Sequence, residues 1–192
     1  MNDTKTTTFL DHLLFPDDLQ NLSTDELMIL ASEIRTRLIE IGDHCGGHLA
    51  SNLGIVEITL VLHMLFSSPA DKFLWDTSHQ AYVHKMLTGR LDAMFSIRQE
   101  GGLSGFTNIF ESEHDAFGAG HASTALSAAL GFAHGRDLLG NDNHVVAIIG
   151  DASLSGGMAF EALNNVAALN SNFICILNDN DMAISPPVGN MA

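Results

Sequence analysis

The apolar positions of this chain follow two periods that alternate along its length. Ser23 and Glu26 have the spacing of a capping box, in which each side chain satisfies a backbone amide, and they predict a helix reaching about Ile41. The residues ahead of it, 1–22, read as an irregular arm, and 23–192 as one domain. Ser51 or Asn52 is placed to cap a second, strongly apolar helix through Phe66, stopped by the SSPAD run, and KFLWD then reads as a short strand. A helix from about His79 to Leu87 ends near Gly89, a glycine-bearing loop runs from Gly101 to Gly120, and a small-residue helix spans about Ser123 to Leu138. The β-branched run HVVAIIGD predicts a buried strand, Gly156 to Leu169 a helix, and NFICILND a second buried strand. Alternating strands and helices make this an α/β domain with a mostly parallel sheet flanked by helices. No internal repeat, low-complexity tract or linker interrupts it.

The last strand–helix–strand unit carries the first chemical signal. Its connection is long enough for a parallel crossover, so both strands end on the same sheet edge, where open parallel sheets bind ligands. Asp151 and Asn180, far apart in sequence, then converge. An acid and an amide carbonyl are the oxygen donors that Mg2+ takes when phosphate oxygens complete its octahedron. No Lys or Arg follows Arg136, so a diphosphate docked here has to be neutralised by a cation, backbone N–H groups and helix ends, and a P-loop lysine is missing. Alone, Asp151 also reads as a helix N-cap and Asn180 as a turn residue.

Composition narrows the partners. With 192 residues and 46% apolar content the chain can bury a sizeable core. A net charge of −15, with only eight Lys and Arg, disfavours nucleic acid and anionic membrane surfaces. Cys45 and Cys175 are too few for a disulfide framework and read as reduced thiols. No leader pattern and no membrane-length apolar run occurs, so the expectation is a cytoplasmic protein, neither exported nor anchored.

Ten histidines call for sorting. His48 follows two glycines directly ahead of a helix, where backbone can approach a ligand and an imidazole can reach a cleft. His79 follows the KFLWD strand at the ligand-binding edge, and His121 lies where a helix N-terminus favours phosphate oxygens. His63 and His84 sit among apolar neighbours and read as packed or hydrogen-bonded structural residues. His12, His44, His114, His134 and His144 have no zinc-site spacing.

The stretch from Gly150 to Met182 resembles the thiamine-diphosphate motif of the transketolase superfamily, GDG followed by about thirty residues to NDN. Four more stretches make the chain similar to the N-terminal part of the 1-deoxy-D-xylulose-5-phosphate synthase family: GGHLASNLG (Gly46 to Gly54), WDTSHQAYVHKMLTGR (Trp75 to Arg90), RQEGGLSGF (Arg98 to Phe106) and ESEHDAFGAGHAST (Glu111 to Thr124). The resemblance implies a transketolase-type thiamine-diphosphate-binding domain that is incomplete at its C-terminal end. It implies condensation of pyruvate with D-glyceraldehyde 3-phosphate, loss of carbon dioxide, and the cofactor as electron sink. By the same resemblance Asp151, Asn180 and the Met182 carbonyl hold Mg2+, and Gly150, Ala152 and Ser153 border the diphosphate together with Asn180. Gly120, His121 and Ala122 line the cofactor, His79 contacts the diphosphate near the reacting carbons, and His48 serves proton transfer. Family members are dimers, and the acid that activates the aminopyrimidine comes from a second domain that no segment here matches, so no turnover is expected from this chain alone.

Three departures fall on the cofactor loops: Ala152 where the motif has glycine, Ser78 where glycine is usual, and Ala122 where serine is usual. A positive φ at Ala152 would cost roughly 1 kcal/mol, whereas a negative one is harmless. Thr107, Asn108 and Ile109 replace frequent basic residues. Two rival readings are a non-catalytic cofactor- or metal-binding module and the small subunit of a split transketolase-type enzyme.

Overall fold

The computed structural model describes residues 8–12 and 16–179. Two short 3-10 turns, Phe9–His12 and Asp17–Asn21, lead into helix α1, Thr24–Cys45. The arm is tied down: Leu10 and Leu19 are buried, and the Glu33 carboxylate of α1 accepts hydrogen bonds from the Phe9 and Leu10 amides. Both halves of the Ser23–Glu26 capping box form. The helix runs a turn past Ile41 because its exit waits for Gly46, which takes a φ of 67°.

The single helix expected from Ser51 or Asn52 to Phe66 is two: α2, Leu49–Leu53, and α3, Val56–Leu65. Neither Ser51 nor Asn52 caps. The chain breaks at Gly54 and Ile55, and Asn52 lies inside α2 with its side chain committed to tertiary hydrogen bonds. Strand β1, Lys72–Trp75, follows. The helix expected from His79 starts only at Tyr82 (α4, Tyr82–Lys85), since the intervening residues make a turn with positive φ at Thr77 and Ser78. A wider helical turn, Met86–Arg90, opens at Thr88 and Gly89, and a 3-10 stretch, Leu91–Ser96, leads to the long irregular loop. Then come α5 (Ala125–Leu139), β2 (Val145–Gly150), α6 (Asp151–Leu154), α7 (Gly157–Leu169) and β3 (Ile174–Asn178).

The sheet has the order β1-β2-β3 and is parallel throughout. Strand alternation sorts its side chains cleanly. Leu74, Val145, Ala147 and Ile149 pack against the small residues Ala125, Ala129 and Ala133 of α5 and Ala159 and Ala162 of α7, which let the helices sit close. Phe73, Trp75, Val146 and Ile148 pack the other way, against Ile55, Leu62 and Ala81. A third cluster lies under α1, where Leu30, Ile34, Leu38 and Ile41 meet Val83, Met86, Leu87 and Met94.

Strand β3 departs from expectation. Its apolar composition predicts cover on both faces, yet Ile174 and Leu177 are 40% and 50% exposed and Cys175 is exposed. It is the end strand of the described sheet, paired there only with β2. No helix among the described residues is long and apolar enough to cross a membrane.

A buried ionic knot fastens the glycine-bearing loop to α4. The Arg90 guanidinium bonds Asp115 through both Nη atoms at 2.9 Å and reaches Glu111 at 2.9 Å; Lys85 also pairs with Glu111. The two carboxylates then take loop amides, Asn108 N on Asp115 and Ser104 N on Glu111. His84 Nε2 lies 3.2 Å from Asp115, close enough to feel its charge though off the line of a hydrogen bond, and His84 Nδ1 is 2.9 Å from His63 Nε2. These two histidines are structural, as their apolar surroundings imply.

Burial pushes the His63 and His84 imidazoles down from their usual range. Burial alone would raise the Asp115 carboxyl, but His84 and Arg90 outweigh it and hold it far below the carboxylate range. All three folded-state values are depressed, so the unfolded chain binds more protons on acidification. The urea midpoint should therefore decline as pH falls below about 6.5, as unfolded-state histidines protonate, and again below about 4. Asp115→Ala, which leaves Arg90 buried without its main partner, should cost about 3–5 kcal/mol in the same urea titration.

Candidate active site

The parallel strands deliver their loops to one edge. Trp75 pairs with Ile148 and Gly150 with Asn178, so the segments after β1, β2 and β3 leave the sheet together. Asp76 ends the first. It is 1% exposed, and its carboxylate accepts from Ser123 N at 2.8 Å and Ala125 N at 3.0 Å. This side chain caps α5 from another element and sets the GHAST turn beside β1. Ser123, at a φ of 70°, donates its Oγ proton to Ser153 O at 2.6 Å, which ties that turn to the loop after β2. Gly156 makes room for this bond, because a Cβ there would lie 2.0 Å from Ser123 Oγ.

His48 and His79 meet edge to face with ring centroids 5.2 Å apart, and Phe106 lies 6.0 Å from His48. Behind them, Asn52 joins both backbones. Its Nδ2 donates to His48 O at 2.7 Å and His79 O at 2.8 Å, and its Oδ1 accepts from Tyr82 N at 2.9 Å. Gly47 must be small, since a Cβ there would lie 2.8 Å from Tyr82 Oη. Partial burial and then the Arg98 charge lower the His48 pKa; burial, then His48, lower that of His79 against an opposing pull from Asp76. Both shifts favour the neutral imidazole. His79 Nδ1 and Tyr82 Oη are buried without a partner among the described residues, an arrangement that costs free energy unless a ligand supplies the missing bonds.

His121 lies in the turn ahead of α5 and not on the helix, whose first residue is Ala125; Thr124 Oγ1 bonds the His121 carbonyl. Gly120 takes a φ of 143° and Ala122 sits exposed beside it. Gly150, Asp151, Ala152 and Ser153 occupy the β2–α6 junction. The N-cap there is Gly150, so Asp151 is the first helical residue, and its carboxylate makes no hydrogen bond among the described residues. Ala152 is helical, so the loss of glycine at that position brings no strain. Ser78 does take a positive φ, 65°, and its buried Oγ accepts from Thr107 N at 2.9 Å. Asn180 and Met182 lie outside the described residues. No three His, Cys, Asp or Glu among the described residues are grouped to hold a metal.

Asn52, Asp76, Ser123 and Arg98 join the candidate site through these contacts and were not singled out for it by the sequence. Asp76 had a signal, a carboxylate directly after a buried parallel strand. Asn52 had none beyond cap chemistry.

The profile of the 1-deoxy-D-xylulose-5-phosphate synthase family matches residues 10–192. The chain belongs to this family. It is 57% identical over 177 residues to the 1-deoxy-D-xylulose-5-phosphate synthase of Syntrophomonas wolfei, covering 92% of this chain and 28% of that protein. It is 55% identical to synthase 1 of Geobacter sulfurreducens, over 95% of this chain and 29% of the relative. With the Chlorobium luteolum synthase it shares 53% over 100% of this chain and 30% of the relative. The chain thus spans about three-tenths of the length of these relatives. Among solved structures, the transketolase of Campylobacter jejuni superposes with a TM-score of 0.70 at 23% identity, over 89% of this chain and 29% of that one. A transketolase variant from Pichia stipitis gives 0.68 at 19%, over 80% and 27%. The fold is transketolase-like.

Asp76→Ala would leave the Ser123 and Ala125 amides unpaired at about 1–3 kcal/mol each. The expected result is a lower urea midpoint with faster amide exchange centred on 119–125, while the β2 core amides stay protected until global unfolding.

Proposed function

We propose that this chain is the N-terminal, diphosphate- and metal-holding part of a 1-deoxy-D-xylulose-5-phosphate synthase. The complete enzyme joins pyruvate to D-glyceraldehyde 3-phosphate with loss of carbon dioxide, giving 1-deoxy-D-xylulose 5-phosphate for isoprenoid precursor and thiamine synthesis. The observation that carries this reading is the convergence at one sheet edge of the paired His48 and His79, with its unpartnered Nδ1, and the stitched 120–123 and 150–153 loops.

Thiamine diphosphate, when bound, supplies the electron sink for decarboxylation and carbon–carbon bond formation. The residues of this chain would hold its diphosphate end. Gly120, His121, Ala122, Gly150, Ala152, Ser153 and Asn180 would hold the diphosphate, the glycines, alanines and serine through small side chains and backbone N–H groups. Asp151, Asn180 and the Met182 carbonyl are hard oxygen donors of the kind Mg2+ takes, and the free carboxylate of Asp151 suits that role. His79, whose Nδ1 has no partner among the described residues, would contact the diphosphate. His48, neutral and exposed to the cleft, accepts and returns a proton as substrates exchange. The working assembly in this reading is a cytoplasmic homodimer whose remaining domains supply the aminopyrimidine-activating acid and the substrate-phosphate site.

Titration calorimetry on this chain should detect thiamine diphosphate only when Mg2+ is present. Asp151→Ala should weaken that binding by more than the roughly 10–100-fold typical of losing an outer-shell partner. The same substitution in a polypeptide extended to the length of the relatives should abolish formation of deoxyxylulose phosphate, whereas this chain alone should form none. Metal-independent binding, or an extended chain that makes no product, would count against the reading.

A further inference from the structure

Asn52 is fully buried in α2, a helix of five residues, where an asparagine is a poor helix former and a desolvated amide is costly unless bonded. Its bonding is complete for a purpose beyond α2. An asparagine amide has two N–H donors and a carbonyl acceptor, and this one bonds His48 O, His79 O and Tyr82 N, residues on three segments. The two donors end on the carbonyls of the two histidines whose rings face each other at 5.2 Å. The acceptor fixes the first amide of α4, and so the point where the segment after His79 turns into helix.

We infer that Asn52 is a positioning residue, a bracket that sets the spacing and mutual orientation of the His48 and His79 imidazoles. It touches neither substrate nor cofactor; it acts through the two backbones it joins. His48 lies outside a regular element and His79 precedes α4, so beside their ring contact and the packing of Gly47 on Tyr82, Asn52 is the side chain that hydrogen-bonds both turns. The catalytic part of this inference rests on the functional reading above; the geometric part does not. Other charged or titratable groups facing the pair are Arg98 toward His48, Asp76 at the end of β1 toward His79, and the Tyr82 hydroxyl.

A control exists within the fold. At the opposite end of β1, Asp71 is a comparable buried clamp: its carboxylate accepts from Ser67 N at 2.7 Å and His144 N at 2.6 Å, far from the histidine pair. Asn52→Leu and Asp71→Ala should both lower stability, but only the first should move the histidines.

The test is NMR on the labelled 192-residue chain. In Asn52→Leu, the His48 and His79 titration midpoints should rise toward the ordinary imidazole value of about 6.5, and the ring-to-ring Overhauser contact should vanish. In Asp71→Ala both should stay as in the unaltered chain. Unchanged midpoints and contact in Asn52→Leu, or equal changes in the two variants, would overturn the inference. Should Asn52→Leu fail to fold, the unaltered chain decides: scalar couplings across hydrogen bonds from Asn52 Nδ2 to the His48 and His79 carbonyl carbons support the bracket, and their absence refutes it. Adding thiamine diphosphate and Mg2+ to the same samples separates the two claims. A chain that shows the bracket but no binding contradicts the functional reading alone; one that binds while Asn52→Leu leaves the pair unmoved contradicts the bracket alone.

Discussion

Asp76 stands at the end of β1, almost wholly buried, with both carboxylate oxygens spent on the backbone amides of Ser123 and Ala125. A buried carboxylate and a buried helix start are each costly alone. Placed against each other, each satisfies what the other lacks, so β1 and the start of α5 can adopt only one relative position. Ser123 passes the constraint on by donating to Ser153 O, and Gly156 leaves the space that bond needs. Three chain segments remote in sequence, 76–79, 120–125 and 150–156, become one rigid rim.

A second tie comes from the far side. The knot of Arg90, Lys85, Glu111 and Asp115 holds the long loop against α4, and with it Phe106 beside His48 and Thr107 against Ser78. Ser78 stands where the family usually has glycine, at a φ that disfavours any side chain by about 1 kcal/mol. The buried bond from Thr107 N to Ser78 Oγ is of the same order, about 1 kcal/mol, and offsets that strain. Only the Ser78 side chain takes part in this bond, since the donor is the backbone amide of Thr107. Ala152, the departure in the Gly150–Ala152 stretch, lies in a helical turn and needs no compensation.

What could be read from the sequence follows the range of the forces involved. The Ser23–Glu26 box, the alternating run before Gly150 and the crossover to β3 are local patterns, and each forms where expected. The parallel register that brings the Asp151 junction level with Asn178 follows from that local reading too. The α2–α3 break at Gly54 and Ile55 and the late start of α4 after the Thr77–Ser78 turn were not legible, because both accompany tertiary hydrogen bonds of Asn52 that no local pattern announces. Exposure of β3 was illegible for a different reason: an apolar strand signals the cover it is built for, and the described sheet ends at that strand. Within the candidate site, His48, His79, His121 and the 150–153 segment carry motif chemistry that the sequence shows. The residues bonded around them, Asp76, Asn52 and Ser123, look in sequence like ordinary cap and turn formers.

The central claim is that the loops at this sheet edge form one preorganised diphosphate site. Hydrogen–deuterium exchange of the chain with and without thiamine diphosphate and Mg2+ tests it most directly. Concerted protection of 46–52, 76–82, 119–125 and 150–156, with the 67–72 end of the sheet unchanged, is the predicted result. Protection confined to one of these segments, or appearing at the opposite edge, would contradict it.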